Sequence, residues 1–571
     1  MISRRFGWPL AILTIASLLR VHAIGYEGLW CDEAYTALTV RQSVGAMASG
    51  LARADDAPPL FYLLEKLSTT IAGDAEPGLR LLSVLTGVGG VACLLWAALR
   101  TGASRASAGV DDPQLGSSLG WSRRAYLWAA AFLAVATTGV FHARQARSYS
   151  LVLLLGIMLL LATRECLAGS RRARGVVALA ALLLCLTHHV ATILVLSSLL
   201  CWPLGPKGKP PLVVWIAVHL PALLASLWFW SVGQAQISIH HQMNQWIGHY
   251  WETHPLLLAP LLSLRLFTPI GLPGSEQSVA FPALDVVSPA WVGGSLGLAA
   301  VCLAAALRRN RRDVALELGF LFLPLSGLVL ASLVTTPVYV LGRTDVIAFP
   351  AFVLLIGRGL AALPSRIGAA GLAFWVIASF TTLAPGYGLG SSPRTKGVDR
   401  RLAQEMTTSG LAPEDWVVHT FMTSPTIDYY LDRSATRHHR TWFPESAARN
   451  PASNCATPPD SLEAYREQAR RLRRKLETSL PPDGAAWVFA LIAPSPPGLS
   501  ERVRHTRTIA ASEMGYPVAL LVHALVGNAA VPVSFVYRQD WVAGDRVVLR
   551  IPRSSWIETA AADSQVIRVA E

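Results

Sequence analysis

The sequence predicts a mainly α polytopic membrane protein with a small C-terminal α/β soluble domain, and three observations carry that expectation. The first is composition: 571 residues of which 52% are hydrophobic and only 15% charged, with a mean hydropathy of +0.42. That is too apolar for a soluble enzyme of this length. The second is a series of apolar runs of about 15 to 20 residues, the length that crosses a bilayer as a helix. The third is a change of character after residue 386, where a Gly/Ser/Pro-rich stretch, GYGLGSSPRTKG, leads into alternating short apolar runs and polar helical patterns.

The apolar runs lie at 7–24, 81–99, 125–141, 149–162, 176–187, 190–202, 212–230, 289–307, 314–334, 346–360 and 367–383, about eleven crossings in all. Runs 176–187 and 190–202 are short and separated only by His188 and His189, so they read as two tilted helices or one long broken one. The N-terminus has the charged start and apolar stretch of a signal peptide without a convincing small-residue cleavage site, and reads as a retained first helix.

Lys and Arg alternate between loops, which orients the chain. One side receives Arg4/Arg5, Arg100 to Arg124, Arg164 to Arg174, Lys207/Lys209, Arg308 to Arg312 and Arg358/Arg366, which makes it cytoplasmic. The opposite side receives 25–80, the HARQARS turn, the His pair, 231–288, the TTPVYVLGRTD loop and everything after 385. The expected domains are therefore 1–386, membrane-embedded with its N-terminus in the cytoplasm, and 387–571, extracytoplasmic on the cytoplasmic (inner) membrane. The net charge of +13 is explained by these inside loops, so no nucleic-acid partner is expected. Seven scattered Cys without a CxxC pair indicate neither a zinc site nor a disulfide framework. Only Cys31 and Cys455 fall on the outer side.

Within the tail, DWVVHTF, AAWVFALIA and DRVVLRI read as strands, and SPTIDYYL and LEAYREQARRLRRKLE as helices. The basic helix at 462–476 reads as a solvated face before it reads as a binding site.

The candidate chemistry collects in the outer loops. GLWCDEAYTA places Asp32 and Glu33 side by side just after the first run. Adjacent carboxylates there suit acid/base work on an acceptor hydroxyl and stabilise an oxocarbenium-like transition state. The same pair also suits the N-terminus of an interfacial helix. Asp55 and Asp56 precede Pro58 and Pro59, either as helix-starting residues or as an acceptor contact or metal ligand held by a rigid turn. In FHARQARSYS, Arg144, Arg147 and Tyr149 are confined to a short outer turn. Arg there grips phosphate through its planar fork or contacts lipid headgroups. Thr187, His188 and His189 sit at a helix break, where the His pair could ligate metal, polarise a substrate or cap helices. Arg343 and Asp345 either pair with each other or meet a phosphate. The segment 237–255 mixes His, Trp and Tyr like an interfacial lid, without an HExxH pattern. A requirement for a divalent cation stays open.

Taken in order, LWCDEAYT, DAPPLFYLL, LRLLSVLTG, HARQARSYSLVLLL, LCLTHHVATILVL and YVLGRTDVIAFPAFVLLIGRGL make the chain resemble the bacterial branch of the dolichyl-phosphate-mannose protein mannosyltransferase superfamily. This is the glycosyltransferase family 39-like group that has the GT-C fold and includes the aminoarabinose transferases. The resemblance implies an inverting hexosyl- or pentosyltransferase that takes sugar from a polyprenyl-phosphate donor in the outer leaflet and gives it to a lipid, protein or glycan acceptor. It implies Asp32 as catalytic carboxylate supported by Glu33, Asp55 or Asp56 near an acidic position, and Arg147, Tyr149 and Arg343 on the donor phosphate, with Arg144 in the same turn. His188 falls where relatives have a Thr-His pair facing the cavity. The chain departs from that pattern at Ala57, where many relatives carry Lys or His, and at Thr344, where relatives often have Tyr. The first departure shifts weight for neutralising the leaving phosphate onto Arg147 or Arg343.

The rival from another class is a transporter or lipid flippase, which shares the many helices. Transporters show broken helices near the midplane and internal repeats, and the sequence displays neither. A membrane scaffold or sensor presenting its tail would leave the ordered loop motifs unexplained.

Overall fold

The computed structural model describes residues 4–51, 58–107, 123–206, 208–234, 247–248, 251–252, 255–269, 289–309, 311–335, 337–387, 398–420, 424–434, 437–444, 461–492, 508–509, 518–527, 529–538 and 545–556. Asp55, Asp56, Cys455 and most of the 237–255 segment lie outside these. The chain divides into two compact units, residues 1–26 with 43–392, and 27–42 with 393–571.

Every apolar run is helical, because a chain in lipid must satisfy its backbone groups within itself. In chain order the helices are α1 (Arg4–Val21), α2 (Cys31–Arg41), α3 (Val44–Gly50), α4 (Leu60–Ala72), α5 (Glu76–Ser107), α6 (Arg123–Val135), α7 (Thr137–Ala143), α8 (Tyr149–Leu167), α9 (Arg171–Cys185), α10 (Ala191–Leu200) and α11 (Leu212–Gln234). They continue with α12 (Ala259–Phe267), α13 (Pro289–Arg309), α14 (Arg311–Val334), α15 (Phe349–Ala362) and α16 (Ser365–Leu383). Among the described residues, seven spans are long and apolar enough to cross a membrane, or eight if the bent pair α6 and α7 is one span. Three of the expected eleven fall short on this measure: the apolar part of α1 is only Phe6–Val21, and α9 and α10 are 15 and 10 residues long. The region 176–202 is thus two short helices rather than one continuous one. The chain is a multi-pass membrane protein.

Run 125–141 is not one straight helix, as the sequence led us to expect, but turns by 58° between α6 and α7. The kink frees carbonyls, and a buried charge satisfies them. Arg20 donates to Ala134 O at 2.9 Å and to Leu133 O at 3.0 Å, and also to Ala16 O of its own helix. Helix α15 is the centre of the unit and is buried nearly all round. Small residues permit this: a Cβ on Gly357 would lie 2.5 Å from Ala129 Cβ of α6, and one on Gly359 2.3 Å from Cys302 O of α13. Glu317 of α14, wholly buried, is paired with Arg164 of α8 and lies 3.7 Å from Arg358 of α15. Two of the arginines that read as inside-loop charges thus tie three helices together.

The second unit adds helices α17 (Val398–Thr408), α18 (Ser424–Leu431), α19 (Leu462–Ser479) and α20 (Val518–Val526). Its strands are β1 (Trp416–Thr420), β2 (His439–Phe443), β3 (Ala485–Ile492), β4 (Thr508–Ile509), β5 (Val531–Arg538) and β6 (Asp545–Pro552). They form a sheet of order β2-β1-β3-β6-β5-β4, with β1 parallel to β2 and β3 and the remaining pairs antiparallel. Strand alternation divides the side chains between two cores. Trp416, Val418, Ala486 and Val488 pack with Leu472, Leu476 and Leu521 of α19 and α20, while Val417, Trp487 and Phe489 pack with Met406 and Ile427 of α17 and α18. The Asp415 carboxylate fixes the start of this sheet by accepting the Ala485 N–H at 2.7 Å, the Trp487 indole N–H at 2.9 Å and the Ala412 N–H at 3.1 Å. On the basic helix α19, Arg474 pairs with Glu467 at 3.1 Å on an exposed face, whereas Arg473 is buried, pairs with Glu477 at 2.7 Å and donates to Ala524 O of α20.

Candidate active site

The turn between α7 and α8 and the turn between α9 and α10 meet in the helical unit. Tyr149, the first residue of α8, is buried, with its ring centroid 4.9 Å from that of His142 and 5.8 Å from that of His188. Arg147 lies two residues before Tyr149, and its backbone carbonyl accepts the Ser83 hydroxyl at 3.2 Å. The third contributor is the start of α4, whose Leu60 N–H donates to Leu186 O at 3.0 Å. That bond brings the Pro-Pro turn beside the break that carries the His pair.

His188 is set up as a neutral donor. The Val190 N–H donates to its Nδ1 at 3.2 Å, so the ring proton of the neutral imidazole resides on Nε2. Burial pushes the group down to about 3, with His189 and the Arg147 guanidinium acting in the same direction. His189 diverges from it and meets Phe229 edge-on at 6.3 Å between centroids.

Arg144 has different work from Arg147. Its guanidinium bonds His22 O and Ala23 O at the exit of α1, the latter at 3.1 Å, and lies 4.4 Å over the Tyr387 ring. Arg80 reinforces the same exit by donating to Ile24 O at 2.6 Å. These bonds hold Ala23 at φ 52°, a left-handed conformation costly for a residue with a Cβ. The structure therefore spends Arg144 on the turn that leads out of α1.

Arg343 stands on a built loop. Gly342 before it takes φ 70°, the Val338 and Tyr339 amides donate to Ser332 Oγ at 3.0 and 2.9 Å, and the Val340 amide donates to Thr344 Oγ1 at 2.8 Å. Asp345 is fully buried and accepts the Ser263 hydroxyl at 2.6 Å, with Tyr339 Oη 2.7 Å from that same hydroxyl. Asp345 thus belongs to the loop's scaffold.

In the second unit, Asp32 and Glu33 occupy the second and third positions of α2. Glu33 is wholly buried and its Oε2 accepts the Trp30 N–H at 3.4 Å, the backward-reaching half of a capping box. Asp32 is only half-buried. The two neighbours thus differ in place: Glu33 closes the N-terminus of α2, and Asp32 stands half-buried beside it.

Asp55 and Asp56 lie outside the described residues, and among the described ones no group of three His, Cys, Asp or Glu converges as a metal site. His142, 1% exposed, was missed from the sequence because it stands just past an apolar run and next to the more conspicuous arginines. Arg20 was missed because it sits inside an apolar run, although a charge there is itself a signal.

No family model and no curated protein matches the chain. Among solved structures it is similar to ArnT from Cupriavidus metallidurans in the apo state, with a TM-score of 0.54 and 12% identity over 96% of this chain and 98% of that one. It is similar to the same protein bound to undecaprenyl phosphate, with a TM-score of 0.52 and 15% identity over 95% and 98% of the two chains. A further neighbour is the arabinofuranosyltransferase AftD from mycobacteria, at TM-score 0.45 and 16% identity, over 98% of this chain and 40% of that one. The likeness to ArnT shows the fold, which is the GT-C fold that the ordered loop motifs implied.

Proposed function

We propose that the chain transfers a sugar from a polyprenyl-phosphate-linked donor to a lipid, protein or glycan acceptor at the outer face of the cytoplasmic membrane, with residues 387–571 on that side. The observation that carries this reading is the meeting of Arg147, Tyr149 and His188, from two separated segments, in one place. It occurs in a fold shared with a protein seen holding undecaprenyl phosphate. An arginine, a phenol and a neutral imidazole N–H are the donor groups a phosphate monoester or its ester to a sugar needs.

In this reading the lipid tail stays in the bilayer and the protein binds only the head. Asp32 takes the proton from the acceptor hydroxyl as that oxygen attacks the anomeric carbon. The bond from the anomeric carbon to the phosphate oxygen breaks on the opposite face, so the centre inverts. Arg147 and Arg343 stabilise the polyprenyl phosphate that leaves, and Tyr149 and His188 orient it. Glu33 supports Asp32 by closing the helix it stands on. Asp55, Asp56 and His189 are candidates for acceptor contacts or a divalent cation.

A transporter reading would draw on the bend between α6 and α7. The carbonyls freed there are bonded to Arg20 and offer no ion site. Mass spectrometry of cell-envelope lipids and glycans with and without the protein tests the proposal. A sugar increment that vanishes with the protein supports transfer, and an unchanged set of glycans with altered lipid distribution supports transport.

A further inference from the structure

An eleven-residue helix in water does not hold its shape alone, so the helix that carries Asp32 needs an external frame. The frame is found within the second unit, on α18. Ahead of α2, the Leu29 N–H donates to Tyr430 Oη at 2.7 Å. At its other end, the Arg41 guanidinium lies 4.9 Å over the Tyr429 ring and 3.8 Å from Asp432. Between these two holds, Ala34, Ala37 and Val40 are buried. Helix α18 is in turn anchored to the sheet. Asp428 lies 2.9 Å from His419 Nε2 of β1 and 3.3 Å from Arg440 of β2, and Arg440 also pairs with Asp432. Burial opposes the Arg440 charge, but Asp428 and Asp432 outweigh it and raise the guanidinium above its ordinary value.

We propose that the C-terminal unit positions the Asp32 carboxylate, with Tyr430, Tyr429 and Asp432 gripping the two ends of its helix as positioning residues for the transfer reaction. The inference rests on the reading of Asp32 as the base. It also gives the tail a role in the chemistry besides any contact with acceptor. Misplacing a reacting group by about an ångström costs up to ~100-fold in rate, so loosening the grip lowers turnover without touching donor binding.

The test uses the full-length protein in nanodiscs and in cells lacking the wild-type chain. Tyr430→Phe removes the acceptor of the Leu29 N–H, and the double variant Tyr430→Phe with Arg41→Ala removes both holds. Three quantities are read: amide exchange over 29–41, affinity for undecaprenyl phosphate as donor-side probe, and the rate at which the envelope sugar increment returns after induction. The expected result for the double variant is exchange over 29–41 faster by about tenfold, β1 and β3 amides unchanged, product formation slower by about tenfold and undecaprenyl phosphate affinity within about twofold. Arg41→Lys, which keeps the charge, restores most of the rate. Full product formation in the double variant, or unchanged exchange over 29–41, overturns the inference. Asp32→Asn is the control: if it retains product formation, the base assignment itself falls, whereas its inactivity beside fully active grip variants removes only this inference.

Discussion

Glu33 Oε2 accepts the backbone N–H of Trp30 from three residues further on, and this bond explains why the two adjacent carboxylates of the first loop are not equivalent. A glutamine at position 33 can make the same bond. Glu33→Gln is therefore expected to keep most transfer activity, whereas Glu33→Ala loses the cap, about 1 kcal/mol of stability. Thermal unfolding and product formation measured on both variants separate these outcomes. Near-complete inactivity of Glu33→Gln with normal folding would instead assign its charge to the chemistry.

Arg144 and Arg147 are predicted to fail in different assays. On the proposed function, Arg147→Ala is expected to remove a charge-assisted contact to phosphate, worth about 1.5–3 kcal/mol or roughly 10- to 100-fold in undecaprenyl phosphate affinity. Arg144→Ala leaves the carbonyls of His22 and Ala23 and the Tyr387 ring without their partner. It lowers thermal stability more than it lowers affinity. Binding and melting measured side by side decide the assignment.

His188 carries no charge in the range where cells live, because its folded-state value lies far below the ordinary one. Its Nε2–H is then present at every pH from 5 to 8. His188→Gln is expected to lower activity by a similar factor at every pH in that window, leaving the shape of the profile intact. A limb of the profile that disappears in the variant would show that His188 titrates during turnover. For stability the sign is that of a depressed histidine: as pH falls through the unfolded value near ~6.5, the unfolded chain takes up a proton the folded one does not, and stability drops.

Arg20 joins the bend of α6 and α7 to α1, and its removal leaves buried carbonyls at Leu133 and Ala134 unpaired. Arg20→Met is expected to cost about 1–3 kcal/mol for each lost partner, seen as a lower unfolding midpoint. Space around Arg20 is made by Gly87, where a Cβ would lie 2.6 Å from Ala143 Cβ and 3.1 Å from Arg20 Nε. Gly87→Val should destabilise the same junction by about 1–3 kcal/mol.

Hydropathy made the helical runs legible, and strand alternation made the tail legible, since DWVVHTF, AAWVFALIA and DRVVLRI each fall on a strand. The bend at Ala136 was not legible because neither Pro nor Gly marks it; a distant arginine does. The association of residues 27–42 with the tail unit depends on Tyr429, Tyr430 and Asp432, some 400 residues away, and no local pattern announces it. Of the candidate site, Arg147, Tyr149 and His188 were visible as polar residues at run ends. Their neighbour His142 stands just past the end of a run, in the shadow of the arginines, and the bonds that occupy Arg144 reach backbone carbonyls that a sequence does not display.

The most direct measurement is the sugar increment on envelope lipids or glycans in cells that carry Asp32→Asn as their only copy, read beside undecaprenyl phosphate binding by the purified variant. The account predicts that the increment disappears while binding stays within about twofold of the wild type, since the substitution removes the base and leaves the phosphate grip in place. An increment formed at the wild-type rate by Asp32→Asn would contradict it.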